Sequence, residues 1–214
     1  MAPSLRHQPA TRALAVTDPE AKARATKVSV RALVALALVS LVVYSLDQLT
    51  KYLIVSSMTE GDEVKVLGEL LQFHFVKNSG AAFSFASGST WIFSIAASAV
   101  TVFILVFARR ISSLGWAVLF GMLLGGTVGN LSDRLFRTPG FGVGHVIDFI
   151  QVYGFPAIFN IADSFIVVSM GLFIILTLRG VGLDGRRSVK GPVHEVDDAG
   201  SVEGLAENRT PESR

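Results

Sequence analysis

The chain has no cysteine among its 214 residues. Disulfides, thiolate metal sites and a cysteine nucleophile are therefore excluded. Histidine is scarce too: there are four, and His7 and His194 lie in polar ends of the chain. His74 and His145 read as interfacial polar residues, and a histidine metal site is not expected. A carboxylate metal site stays open at this level. Charge is the third shortage. Asp, Glu, Lys and Arg make up 17 % of the chain, whereas soluble globular domains carry roughly 25 %. What replaces charge is apolar: half of the residues are hydrophobic and the mean hydropathy is +0.53. This is the composition of a membrane protein.

The apolar residues fall into four runs, about 31–55, 89–108, 112–135 and 156–179. Each has the roughly 20 residues that a spanning helix needs. None keeps the polar face of a helix on a soluble core. The expectation is an all-α membrane protein of four transmembrane helices spanning 31–179, with Pro156 in the first turn of the fourth. Residues 1–30 and 180–214 are polar and read as flexible tails. The first is not expected to be a cleavable signal peptide, because the apolar run after it is too long.

Between the first two runs, Val64-Lys65-Val66 and Leu71-Gln72-Phe73-His74-Phe75 alternate apolar and polar residues, with turn signals at Gly68 and Asn78-Ser79-Gly80. A small antiparallel β-sheet is expected there. The connection before the fourth run, RTPGFGVGHVIDFIQVYGF, is glycine-rich and reads as a bending, re-entering segment.

Lys and Arg set the expected orientation. Fourteen of the nineteen lie in the N-terminal segment, the 2–3 loop or the C-terminal segment. The positive-inside rule then puts both termini in the cytoplasm and the sheet outside.

Carboxylates in spanning segments are costly and mark function. With these helix directions, Asp47 lies about 24 Å along helix 1 from its inner end, and Asp163 roughly 10 Å in from the outer end of helix 4. Asp133 ends helix 3, and Asp148 sits in the outer connection. All four collect at one depth. Asn130, Asp133 and Arg134 share a helix face, as do Asn160 and Asp163, and Asp47 and Lys51. Interfacial anchoring or ion pairing is the plain alternative for Asp47–Lys51 and Asp133–Arg134. Asp148 and Asp163 have no evident cation, and two adjacent acids in a dry site share a proton. On helix 3, Gly121, Gly125 and Gly129 form a small-residue stripe that reads as helix packing.

Five polar blocks, DQLTK (47–51), NSGAAFS (78–84), GGTVGNLSDR (125–134), VIDF (146–149) and FNIADS (159–164), together resemble the signature blocks of the lipoprotein signal peptidase (signal peptidase II) family, in order and spacing. The resemblance covers the whole apolar core; the long tails depart from the compact family pattern. It implies a bacterial inner-membrane aspartic endopeptidase that cleaves diacylglyceryl-modified prolipoproteins before the lipidated cysteine, without metal or other cofactor. Asp148 and Asp163 would be its catalytic pair. Asn78, Gly80, Asn130, Arg134 and Asn160 would position substrate and dyad, and Asp47 and Lys51 would support the site. Asp133 would pair with Arg134 or meet substrate. The partners implied are prolipoproteins and membrane lipids; no nucleic acid is expected.

Two other readings stay open on the residues alone. Buried acids also make the relays of small proton- or ion-coupled transporters, although a relay should spread its carboxylates through the bilayer. A non-catalytic membrane scaffold would tolerate loss of either Asp148 or Asp163.

Overall fold

The computed structural model describes residues 28–80 and 90–187. The expected tails lie outside these residues except for their inner ends, as do positions 81–84 of the NSGAAFS block.

Four helices carry the fold: α1 (Val30–Ser57), α2 (Thr90–Phe107), α3 (Leu114–Phe136) and α4 (Ile161–Leu178). All four are long and apolar enough to cross a membrane. Helix α3 is the axis. Of its most apolar stretch 61 % is buried, against 11 % for α4. The outer helices turn large side chains such as Leu41, Phe103 and Val167 outward, as lipid-facing surfaces do.

The glycine stripe explains how α3 gets so close to its neighbours. A Cβ at Gly125 would lie 2.6 Å from the Ser40 carbonyl oxygen of α1. Gly126, next to the stripe, does the same toward α4, where a Cβ would lie 2.7 Å from the Ala162 carbonyl oxygen. Only glycine permits this approach, so the packing role expected of the stripe holds.

The helix limits match the apolar runs within a few residues, with one correction. Helix α4 does not begin at Pro156. Asn160 is its cap, in a reciprocal capping box with Asp163. The preceding residues stay extended because Phe159 pairs with Ile150. Asp163 therefore sits in the first turn, about 4 Å along the helix rather than 10 Å.

The expected sheet forms, with β1 (Glu63–Leu67) and β2 (Leu71–Asn78) as a hairpin. A third strand, β3 (Val146–Val152), pairs antiparallel with β2. It comes from the glycine-rich connection between α3 and α4, which sequence patterning treats only as a bend. Val146–Phe149 are all buried, so the strand has no alternating signature.

The opposite end of the bundle holds another difference. Residues 180–187, expected as tail, form a turn with Val181 bridged to Arg187. The backbone N–H groups of Ser112 and Ser113 donate to the Leu183 carbonyl, and the Trp116 indole donates to that of Val181.

Candidate active site

The sheet end of the bundle buries an unusual amount of charge. Asp47, Lys51, Asp133, Asp148 and Asn160 are at most 2 % exposed, and Arg134 is 9 % exposed. Such groups are costly unless each finds partners, and nearly all do.

Lys51 is the hub. Its ammonium has three protons and three acceptors: Asp47 Oδ2 at 2.8 Å, Asp133 Oδ2 at 2.8 Å and Asn130 Oδ1 at 2.9 Å. The i,i+4 spacing on α1 supplies the first contact, and packing of α3 on α1 supplies the other two. Asp47 Oδ1 also accepts from the backbone N–H of Ala162 at 3.0 Å, at the start of α4, where helix dipoles favour an anion. Asp133 accepts from Arg137 Nε at 2.5 Å and from the Ile147 N–H at 3.3 Å. The expected Asp133–Arg134 pair is thus replaced by Asp133 with Lys51 and Arg137. Arg137 is a partner that sequence reasoning missed, although its i,i+4 spacing from Asp133 was the available signal.

Asp148 and Asp163 are held differently. Among the described residues neither makes an ion pair. Neutral amides hold both. Asn78 Nδ2 donates to Asp148 Oδ2 at 2.8 Å, and Asn160 Nδ2 donates to Oδ1 at 2.6 Å. Asn130 Nδ2 donates to Asp163 Oδ1 at 2.8 Å. Asn160 and Asn130 are themselves linked at 3.1 Å, so the two carboxyl groups are the ends of one amide bridge. Strand pairing puts Asn78 in place: Val76 lies opposite Asp148 and Asn78 opposite Val146, so Asn78 and Asp148 share a sheet face as diagonal neighbours.

Gly80 fixes Asn78 from the other side. Its N–H donates to Asn78 Oδ1 at 2.7 Å, which leaves the Asn78 Nδ2 group for Asp148. Its φ of +90° disfavours side chains, and a Cβ there would lie 2.6 Å from the Phe93 ring.

Burial pushes the Asp148 carboxyl up to about 6, and the nearby charge of Asp163 adds to the rise. Donors on Asn78 and Asn160 and the charge of Lys51 oppose it. An acid in this range can hold or release a proton near neutrality.

Arg134 stacks over Phe93 at 5.1 Å from the ring centroid. Its Nη1 is buried and has no partner among the described residues. Also among the described residues, no three His, Asp or Glu side chains are grouped to hold a metal ion. The structure therefore gathers Asp47, Lys51, Asn78, Asn130, Asp133, Asp148, Asn160 and Asp163 into one network, with Gly80 and Arg134 at its margin.

Known proteins place this arrangement. The family model described as signal peptidase (SPase) II matches residues 39–179. A lipoprotein signal peptidase of Leifsonia xyli is 62 % identical, over 87 % of this chain and 82 % of that one. One of Streptomyces coelicolor is 45 % identical, over 69 % of this chain and 72 % of its own. A bacterial membrane enzyme solved by the in meso method at 1.9 Å superposes with a TM-score of 0.61 at 32 % identity, covering 69 % of this chain and 94 % of that one. With the family model matching residues 39–179 and a relative 62 % identical over most of both chains, the chain belongs to the signal peptidase II family.

Proposed function

We propose that the protein is an aspartic endopeptidase that removes signal peptides from diacylglyceryl-modified prolipoproteins, cleaving before the lipidated cysteine. The observation that carries the aspartic assignment is the amide bridge between Asp148 and Asp163. Both are free of ion pairs among the described residues, whereas Asp47 and Asp133 are neutralised by Lys51 and Arg137.

In this reading Asp148, the carboxyl raised to about 6, holds the shared proton, and Asp163 is the general base. Asp163 takes a proton from the water that attacks the scissile carbonyl. Asp148 donates a hydrogen bond to the carbonyl oxygen as it gains charge, and the collapsing intermediate releases the amine after taking up a proton from the pair. Asn160 and Asn130 keep the carboxyl groups in register. The unpartnered Nη1 of Arg134 is suited to a backbone carbonyl of the substrate.

The substrate's acyl chains must stay in lipid while its peptide reaches the dyad. A dyad formed by the first turn of α4 and a strand packed on the helix ends suits that boundary. The orientation goes with it: Arg109, Arg110, Arg179, Arg186 and Arg187 lie at the end away from the sheet. Both termini are accordingly cytoplasmic and the sheet is external. A proton- or ion-coupled transporter finds no support in the family.

The test is processing itself. Expressed in a strain without its own enzyme, the protein should convert a diacylglyceryl-modified prolipoprotein to its trimmed form on a gel. An untouched precursor would remove the assignment.

A further inference from the structure

We propose that a cavity at the sheet end of the bundle, on the far face of β2–β3 from the dyad, binds the phosphodiester headgroup of an anionic membrane lipid. Its volume is about 390 Å³, within the range of sites that hold small ligands. It is lined by Lys77, Arg137, His145 and Thr138 together with Val55, Phe136 and Ile147.

The backbone builds this cavity deliberately. Lys77 of β2 lies opposite Ile147 of β3, whereas Val76 lies opposite Asp148. Side chains alternate along a strand, so Lys77 and Ile147 face the cavity and Asp148 faces the dyad. After α3 the chain folds back, with the Gly144 N–H donating to the Arg134 carbonyl at 2.9 Å and the His145 N–H to that of Thr138 at 3.0 Å. That return sets His145 beside the end of the helix.

The donors fit a phosphodiester. Arg137 gives only Nε to Asp133, and its two terminal amino groups make no hydrogen bond among the described residues. A guanidinium fork in this state suits two phosphate oxygens. Lys77 makes one ion pair, to Glu60 at 2.9 Å, and lies 5.9 Å from the centroid of the Phe75 ring; its side chain is 37 % exposed, so its ammonium keeps protons to donate. The His145 ring and the Thr138 hydroxyl likewise make no side-chain hydrogen bond among the described residues.

The apolar part selects a lipid over free phosphate. Val55 is in the last turn of α1 and Phe136 is the final residue of α3, so both stand at the membrane boundary. Phe136 is 80 % exposed beside the cations. An acyl chain covers such a ring, and an inorganic ion leaves it bare. Zwitterionic headgroups bring a cation of their own to a site already lined by cations.

Native mass spectrometry of the full chain, released from micelles containing equal phosphatidylglycerol and phosphatidylcholine, tests this without reference to peptidase activity. Wild type should retain phosphatidylglycerol with a preference on the order of thirtyfold, the scale of two cations facing one headgroup. Lys77→Gln/His145→Gln should lose the preference, and Lys77→Arg should keep it, which separates lost binding from lost folding. Arg186→Gln/Arg187→Gln, at the other end of the bundle, should keep it as well. Equal retention of the two lipids, an unchanged preference in the double variant, or its loss in the Arg186/Arg187 variant would overturn the site. Displacement of the lipid by excess inorganic phosphate would overturn the lipid as its occupant.

Discussion

The side-chain amide of Asn160 donates to Asp148 Oδ1 at 2.6 Å while its carbonyl oxygen accepts the backbone N–H of Asp163 at 3.0 Å. One residue thus caps a membrane helix and ties the sheet's carboxylate to the helix's carboxylate. Helix capping, sheet docking and the spacing of the two acids cannot vary independently. The same economy appears at Lys51, where one ammonium joins α1 to two residues of α3.

Lys51→Met should be strongly destabilising. It leaves Asp47 and Asp133 buried without their shared cation, and breaking a buried pair by removing one partner costs about 3–5 kcal/mol. Thermal unfolding in detergent reads the loss. Adding Asp47→Asn should recover part of it, since one stranded charge is then gone. Equal stability of Lys51→Met and wild type would contradict the hub.

The close approach of α3 and α1 gives a second test. Gly125→Ala places a methyl group 2.6 Å from the Ser40 carbonyl oxygen and 2.8 Å from Val43 Cβ. Overpacking of this kind costs about 1–3 kcal/mol, and processing should fall with stability because α1 carries Asp47 and Lys51. Gly171→Ala meets nothing within 4 Å and should be neutral or stabilising by up to about 1 kcal/mol. Unfolding midpoints that rank the two the other way would count against this packing.

The pH dependence follows from Asp148. With its carboxyl raised to about 6, kcat/KM should decline as pH rises through the upper apparent pKa of the pair, because the shared proton is lost. Asn78→Ala removes a donor to the ionised carboxylate. Loss of that donor disfavours the charged form, so the alkaline limb should move to higher pH. A limb that stays put or moves down would separate Asn78 from Asp148.

Much of the fold was legible because membrane helices announce themselves by length and apolarity, and β1–β2 by alternation. The carboxylates at one depth followed from helix direction. Strand β3 was not legible. Its buried residues, Val146–Phe149, carry no period of two, and its partner strand is some 70 positions earlier in the chain. The start of α4 was written in the chain as Asn160–Asp163, the spacing of a capping box, but Pro156 offers a competing start that only the Ile150–Phe159 pairing rules out. The partners of Asp133 escaped for a related reason. Lys51 is 82 positions away, so no local window shows it.

The central claim is that Asp148 and Asp163 together perform hydrolysis. The most direct measurement is the processing rate of one diacylglyceryl-modified prolipoprotein by wild type, Asp148→Asn and Asp163→Asn, at matched membrane levels and matched unfolding temperature. The account predicts that each variant loses at least the factor of roughly 10²–10⁴ that a positioned acid or base supplies. Processing at the wild-type rate by either stable variant would contradict it.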